Sequence, residues 1–180
     1  RPGNGVSTSV APETREEVRE KLSRLLRSRW FEPPFSGIGL SRLLTHALQA
    51  MKDGASGLPL LPQGHPIDLF VTTTDFEGQL QPLRLHSPKL IFESEHRVSI
   101  GFRAATPSKA DEPLAPLLDL VFAARATSSF PGAFPPLQVS EIEKLCEDDG
   151  LSWVSRDAFL SRILPQHARM NNLDRVSLID

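Results

Sequence analysis

Tyrosine is absent from the 180 residues, and aromatic residues make up only 7%. Single-stranded nucleic acid is held largely by aromatic faces stacked on successive bases, so no such surface is expected. A net charge of −2 adds no electrostatic attraction for nucleic acid either. Cys146 is the only cysteine, which excludes an internal disulfide and a cysteine-built zinc cage. A reducing compartment fits that usage best. His46, His65, His86, His96 and His167 fall in no His-x-x-x-His or His-Glu-x-x-His pattern, so no metal is expected. No stretch approaches the roughly 20 apolar residues of a membrane span.

Hydrophobic residues at 39% suffice for a core, and the length suits one domain. Proline is plentiful at 16 residues and sits mostly where elements should begin or end. Residues 1–12 read as a flexible lead-in. Thr14 with Glu17 has capping-box spacing, and Val18, Leu22, Leu25, Leu26 and Trp30 mark an amphipathic helix. Its early glutamates and late arginines complement the helix dipole. With its basic polar face and Trp30 it suits a lipid surface, ordinary packing being the alternative. Leu40 to Met51 carries a second helical stripe, with Gly54 placed to cap it. Residues 53–66 read as a linker. The expected division is therefore 1–66, a variable helical region with its linker, and 67–180, an α/β core.

From Ile67 to Thr74 the chain is β-rich on both faces, as a central strand would be. Glu77-Gly78 reads as a turn, Leu80 to Leu85 as a second strand and Arg97 to Arg103 as a third, forming a small meander. Leu114 to Ala126 is apolar on most sides and predicts a buried helix. Ser128 to Pro136 is a Pro/Gly-rich loop, 140–147 and 156–169 two further helices, and 175–179 a last strand. Interleaved strands and helices without repeats favour α/β.

Three segments carry a resemblance: Phe70-Val-Thr-Thr-Thr-Asp75-Phe-Glu-Gly78, Ala123-Ala-Arg125-Ala-Thr-Ser-Ser129-Phe-Pro-Gly-Ala-Phe-Pro-Pro136, and Val176-Ser-Leu-Ile-Asp180. In that order they resemble the second half of a patatin-like acyl hydrolase. The resemblance covers residues 67–136 and 175–180. It implies a three-layer αβα sandwich around a mainly parallel sheet, and a Ser-Asp dyad that attacks phospholipid or other lipid esters without metal or cofactor. Asp180 would be the dyad's Asp, the base that takes the serine proton. Asp75 and Arg125 would support the catalytic loop from behind. Asp75 has a plainer role open to it, bonding the amides of its own turn. Arg125 has one too, as a core-helix arginine reaching solvent or a carboxylate.

The nucleophile expected in Gly-x-Ser-x-Gly at a strand-to-helix elbow is missing. Gly54-Ala55-Ser56-Gly57 comes near, but its second glycine is one position early and it follows a helix. The family's glycine-rich oxyanion loop is missing as well. Together with a start at Arg1-Pro2-Gly3, this leads us to expect a segment of a longer polypeptide that supplies the serine. The partners implied are that polypeptide and a lipid or other ester, in the cytoplasm or peripheral to a membrane. A patatin-fold binding or scaffold module with a decayed dyad is the other reading.

Overall fold

The computed structural model describes residues 35–54, 65–104 and 113–180. In chain order these form α1 (Gly37–Asp53), β1 (Ile67–Arg84), β2 (Leu90–Ala104), α2 (Leu117–Thr127), α3 (Val139–Asp149), α4 (Arg156–Ile163) and α5 (Pro165–Met170). A 3-10 turn (Leu173–Arg175) and β3 (Leu178–Ile179) close the series. The helix expected over 14–30 and the Ser56 segment lie outside the described residues.

Helices and strands mix as the interleaved pattern implies, but the sheet departs from the mainly parallel expectation. Its strands run in the order β2-β1-β3, and both pairings are antiparallel. The reason lies in the connection. Only residues 85–89 join β1 to β2, enough for a hairpin, whereas a parallel pair needs a crossover of about a dozen residues or more. Nor is there a three-stranded meander. The Glu77-Gly78 turn is instead an irregularity within one long strand, where residues 75–78 of β1 face His96 alone between the Thr74↔Arg97 and Gln79↔Glu95 pairs. Gly78 sits there at φ +75, and a Cβ on it would lie 2.5 Å from Ser94 Oγ. Glycine is the residue that tolerates both demands.

One face of the hairpin is buried. Val98, Ile100 and Phe102 of β2 alternate inward onto α2, the helix that the sequence marks as buried. Leu118, Val121, Phe122, Ala123 and Ala126 of α2 are all covered. Phe122, Phe159 and Trp153 pack with ring centroids 5.5–6.0 Å apart. Trp153 Nε1 and Ser155 Oγ both donate to Asp119 Oδ1, at 2.8 and 2.6 Å, so the loop before α4 is pinned to α2. The opposite face of the hairpin, with Phe70, Thr72 and Ser99, is exposed.

The single helix expected over 156–169 is two. Pro165 has no N–H for the preceding turn, so α4 ends at Ile163 and Pro165 starts α5 at its first position. The last strand is also shorter than its sequence suggests, because residues 173–175 take a 3-10 turn before β3.

Helix α1 is capped by Ser36, whose Oγ accepts from Gly39 N, and ends at Gly54, whose N–H donates to Ala50 O. It packs on α2 and α3, and Arg42 forks onto Asp149 at the end of α3 with two 2.9 Å bonds. Those bonds hold the Asp149 carboxyl below its ordinary 3.8. A carboxyl lowered on folding stabilises above its unfolded value, and that contribution vanishes as pH falls through the folded one. Asp149→Asn should therefore lower the urea midpoint at neutral pH by a small margin. The gap to wild type should close as pH drops below about 4.

Candidate functional site

Strand β3 is two residues long, too short to persist without support on both edges. On one edge it pairs with β1 through Thr74↔Ile179 and Asp75↔Leu178, and Thr73 Oγ1 donates to Ile179 O at 2.7 Å. On the other, Leu137 and Leu178 exchange backbone bonds of 2.8 and 2.9 Å. Asp180 follows directly. Its N–H donates to Ser129 O at 3.4 Å, and its side chain is exposed at the carboxyl end of the strand. The segment is thus held by 73–75, by 137 and by 129, with the carboxylate left accessible.

Arg125 lies behind this segment, completely buried on α2. Its Nε and Nη2 donate to the two oxygens of Glu141, at 2.9 and 3.2 Å, and Nη2 also reaches Pro135 O at 2.9 Å. Nη1 donates to Ser129 Oγ at 2.6 Å. Glu141 in turn accepts from Ser41 Oγ of α1 at 2.5 Å. A buried charge is tolerable only when paired and hydrogen-bonded, and both conditions are met. The network joins α1, α2, the 128–136 loop and α3. It also leaves no room beside it: a Cβ on Gly37 would stand 2.7 Å from Arg125 Nη2. The carboxylate that Arg125 reaches is that of Glu141.

Asp75 is also fully buried. Its Oδ1 accepts from Glu77 N at 3.2 Å, the turn bond that its sequence position suggests. Its Oδ2 meets His167 Nε2 of α5 at 2.7 Å, a partner that nothing in the sequence indicates. An Asp-His pair invites comparison with a proton relay, but the geometry argues against one. Nε2 faces the carboxylate and Nδ1 faces Asn172 Oδ1 at 3.0 Å, so neither ring nitrogen is free to take a proton from a hydroxyl. Whichever tautomer is present, the pair acts as a clasp between β1 and α5. His96 Nδ1 adds a bond to Asp75 O at 2.8 Å.

Ser129 is close to Asp180 in space, yet its hydroxyl accepts from Arg125 and donates to Arg125 O at 3.0 Å. It is a buried strut, not a nucleophile. Burial pushes the Cys146 thiol upward, reinforced by Glu143, Asp149 and Glu147, which disfavours a thiolate. An apolar groove of about 370 Å³, lined by Pro116, Leu117, Leu151 and Trp153, lies at the opposite end of α2 from Ser129. Among the described residues no group of three or more His, Cys, Asp or Glu is placed to hold a metal ion.

No protein-family model, curated protein or solved structure matches the chain. What it does is therefore read from side-chain chemistry and placement. Sequence reasoning singled out Asp180, Asp75 and Arg125 but not Glu141 and His167, the side chains that Arg125 and Asp75 meet. Glu141 lies 16 positions from Arg125, and His167 lies 92 positions from Asp75. Neither separation is one that a helix or strand turns into a neighbour. The usable signal was a charge on an otherwise apolar helix, since a buried Arg125 demands an acid somewhere in the fold.

Proposed function

We propose that this chain belongs to a patatin-like serine acyl hydrolase and carries the acidic member of its Ser-Asp dyad. The observation that carries the reading is convergence. The three segments that resemble the family, 70–78, 123–136 and 176–180, are separated in sequence but meet along the backbone of the short strand that leads into Asp180. Thr73 and Asp75 hold β3 from one side, Ser129 accepts the Asp180 N–H, and Arg125 fixes Ser129 from behind. An open carboxylate on a backbone held from three sides suits a base that must meet a hydroxyl at a fixed distance.

On this reading a serine from outside these 180 residues loses its proton to Asp180 and attacks the carbonyl of a lipid ester. Asp180 returns that proton to the departing alcohol as the ester C–O bond breaks; it then deprotonates the water that hydrolyses the acyl-enzyme and returns that proton to the serine oxygen. No residue of the chain need bind a metal or cofactor for this. The larger fold that goes with it is a three-layer αβα sandwich around a mainly parallel sheet, with the antiparallel strands described above at its margin. Among the described residues no helix is long and apolar enough to cross a membrane, and contact with lipid would be peripheral.

A serine-directed fluorophosphonate probe, applied to the longer polypeptide that this reading requires, tests it. Labelling is expected, and Asp180→Asn should slow it by about 100-fold or more. The 180 residues alone should stay unlabelled. Equal labelling of wild type and variant would remove Asp180 as the base. No labelling at all would favour the inactive binding module.

A further inference from the structure

Beyond Gln79 the hairpin leaves the body of the protein. Every residue from Leu80 to Leu90 is exposed, Leu83 least at 36%, and Phe92, Glu93 and Ser94 are exposed as well. With five paired positions at about 3.3 Å each, the ribbon projects roughly 16 Å. Its two faces differ. The pairs Leu80↔Ser94, Pro82↔Phe92 and Arg84↔Leu90 share one face, while Gln81↔Glu93 and the better covered Leu83↔Ile91 lie on the other. On the first face Leu80, Leu90 and Phe92 are 54%, 49% and 66% exposed, and Leu85 at the tip is 46% exposed. So large an apolar surface on a projecting element marks an interaction site.

We infer that this arm inserts its apolar face into the surface of an anionic lipid bilayer. The choice of partner rests on charge and on backbone chemistry. From Leu80 to Ser94 the ionised groups are Arg84 and Lys89 beside the tip, with His86 between them, and Glu93 further back. The chain as a whole carries −2, so the positive charge is concentrated at the arm's end, where anionic headgroups would meet it. The arm is too short for the roughly 30 Å hydrocarbon core. An open-edged ribbon cannot leave its N–H and C=O groups in hydrocarbon in any case. It therefore lies at headgroup depth with its side chains directed inward. Pairing with a second copy through strand addition is opposed by Pro82, which has no N–H to offer an incoming strand, and by the charge of Arg84 and Lys89. This rests on the acyl-hydrolase reading for its purpose, since such an arm would bring Asp180's site to its lipid substrate.

Flotation of the 180-residue protein with vesicles tests the inference without any hydrolysis. Wild type should float with vesicles of equal parts phosphatidylcholine and phosphatidylglycerol, and less with phosphatidylcholine alone. The double variant Leu90→Ser, Phe92→Ser should bind about tenfold more weakly, and Arg84→Glu, Lys89→Glu should lose the preference for the anionic lipid. All four positions are exposed, so the fold should persist, and far-ultraviolet circular dichroism checks that. Val154→Ser, which changes a 92% exposed residue away from the arm, should bind as wild type does. Failure of wild type to float, or equal binding by the arm variants, overturns the inference. So does a wild type that ignores vesicles but self-associates, with the Leu90/Phe92 variant monomeric by light scattering. Flotation of the 180 residues without fluorophosphonate labelling of the longer polypeptide would leave the arm's role standing and remove the hydrolase, and labelling of the longer polypeptide without flotation would do the reverse.

Discussion

Arg125→Met is expected to destabilise the protein by about 3–5 kcal/mol, the cost of leaving one member of a buried ion pair without its partner. The side chain that remains, Glu141, is 13% exposed and would keep only Ser41 as a donor from this cluster. Pro135 O would lose its bond, and the Ser129 hydroxyl would lose the donor that faces it. For a domain of this size the melting temperature should drop on the order of 10 °C. The double variant Arg125→Met, Glu141→Leu separates charge from packing. Replacing both partners by apolar groups of similar size commonly costs far less than removing one, so the double variant should be more stable than Arg125→Met alone. A double variant no better than the single would mean that the bonds to Ser129 and Pro135, not the ion pair, carry the stability. In the hydrolase, Arg125→Met should also slow fluorophosphonate labelling at temperatures where the fold persists, because Ser129 would no longer be fixed against the Asp180 backbone.

The second large effect is expected at His167. Removing its ring by His167→Ala would leave the Asp75 carboxylate fully buried with Glu77 N as its only remaining donor among the described residues, and open a cavity between β1 and α5. A loss of about 3–5 kcal/mol follows from the same reasoning as for Arg125. His167→Gln, which can place an amide N–H toward the carboxylate, should recover part of it. Asn172→Ala, which removes only the outer bond to the ring, should cost about 1 kcal/mol. Urea midpoints measure all three. If His167→Ala cost no more than Asn172→Ala, Asp75 would have a further donor that compensates, and the clasp would be dispensable. Hydrogen exchange gives the local readout: amides of α5 and of β3 should open together in His167→Ala, since the two elements meet through Asp75.

Both predictions concern residues whose importance is only half visible in the chain. Asp75 could be placed at the end of an apolar strand, and the bond to Glu77 N was a fair inference from turn chemistry. Arg125 stood out as the basic residue of a helix buried on most sides, Asp119 being its acidic one. The partners could not be found that way, because Glu141 and His167 are supplied by other helices, and side-chain contacts across the fold have no period to read.

Secondary structure divides along the same line. The helix α1, the buried helix α2 and the β-rich start of β1 follow from local pattern: helical spacing closed by Gly54, apolar residues on most sides, and β-branched residues in a run. The same pattern misled at Gly78, where a glycine that looks like a turn serves a strand irregularity beside His96. It misled again at Pro165, where helical spacing continues across a residue that cannot extend a helix.

Periodicity and capping chemistry act over a few residues, so they suffice to specify where helices and strands begin and which of their faces is apolar. Strand direction, the company that Asp75 and Arg125 keep, and the support beneath Asp180 are settled at larger separations, where short connections and burial of charge select among arrangements that local preference leaves equal. The five-residue link between β1 and β2 imposes the antiparallel sheet. The need to neutralise a wholly buried guanidinium draws α1, α2 and α3 together behind the strand that ends at Asp180.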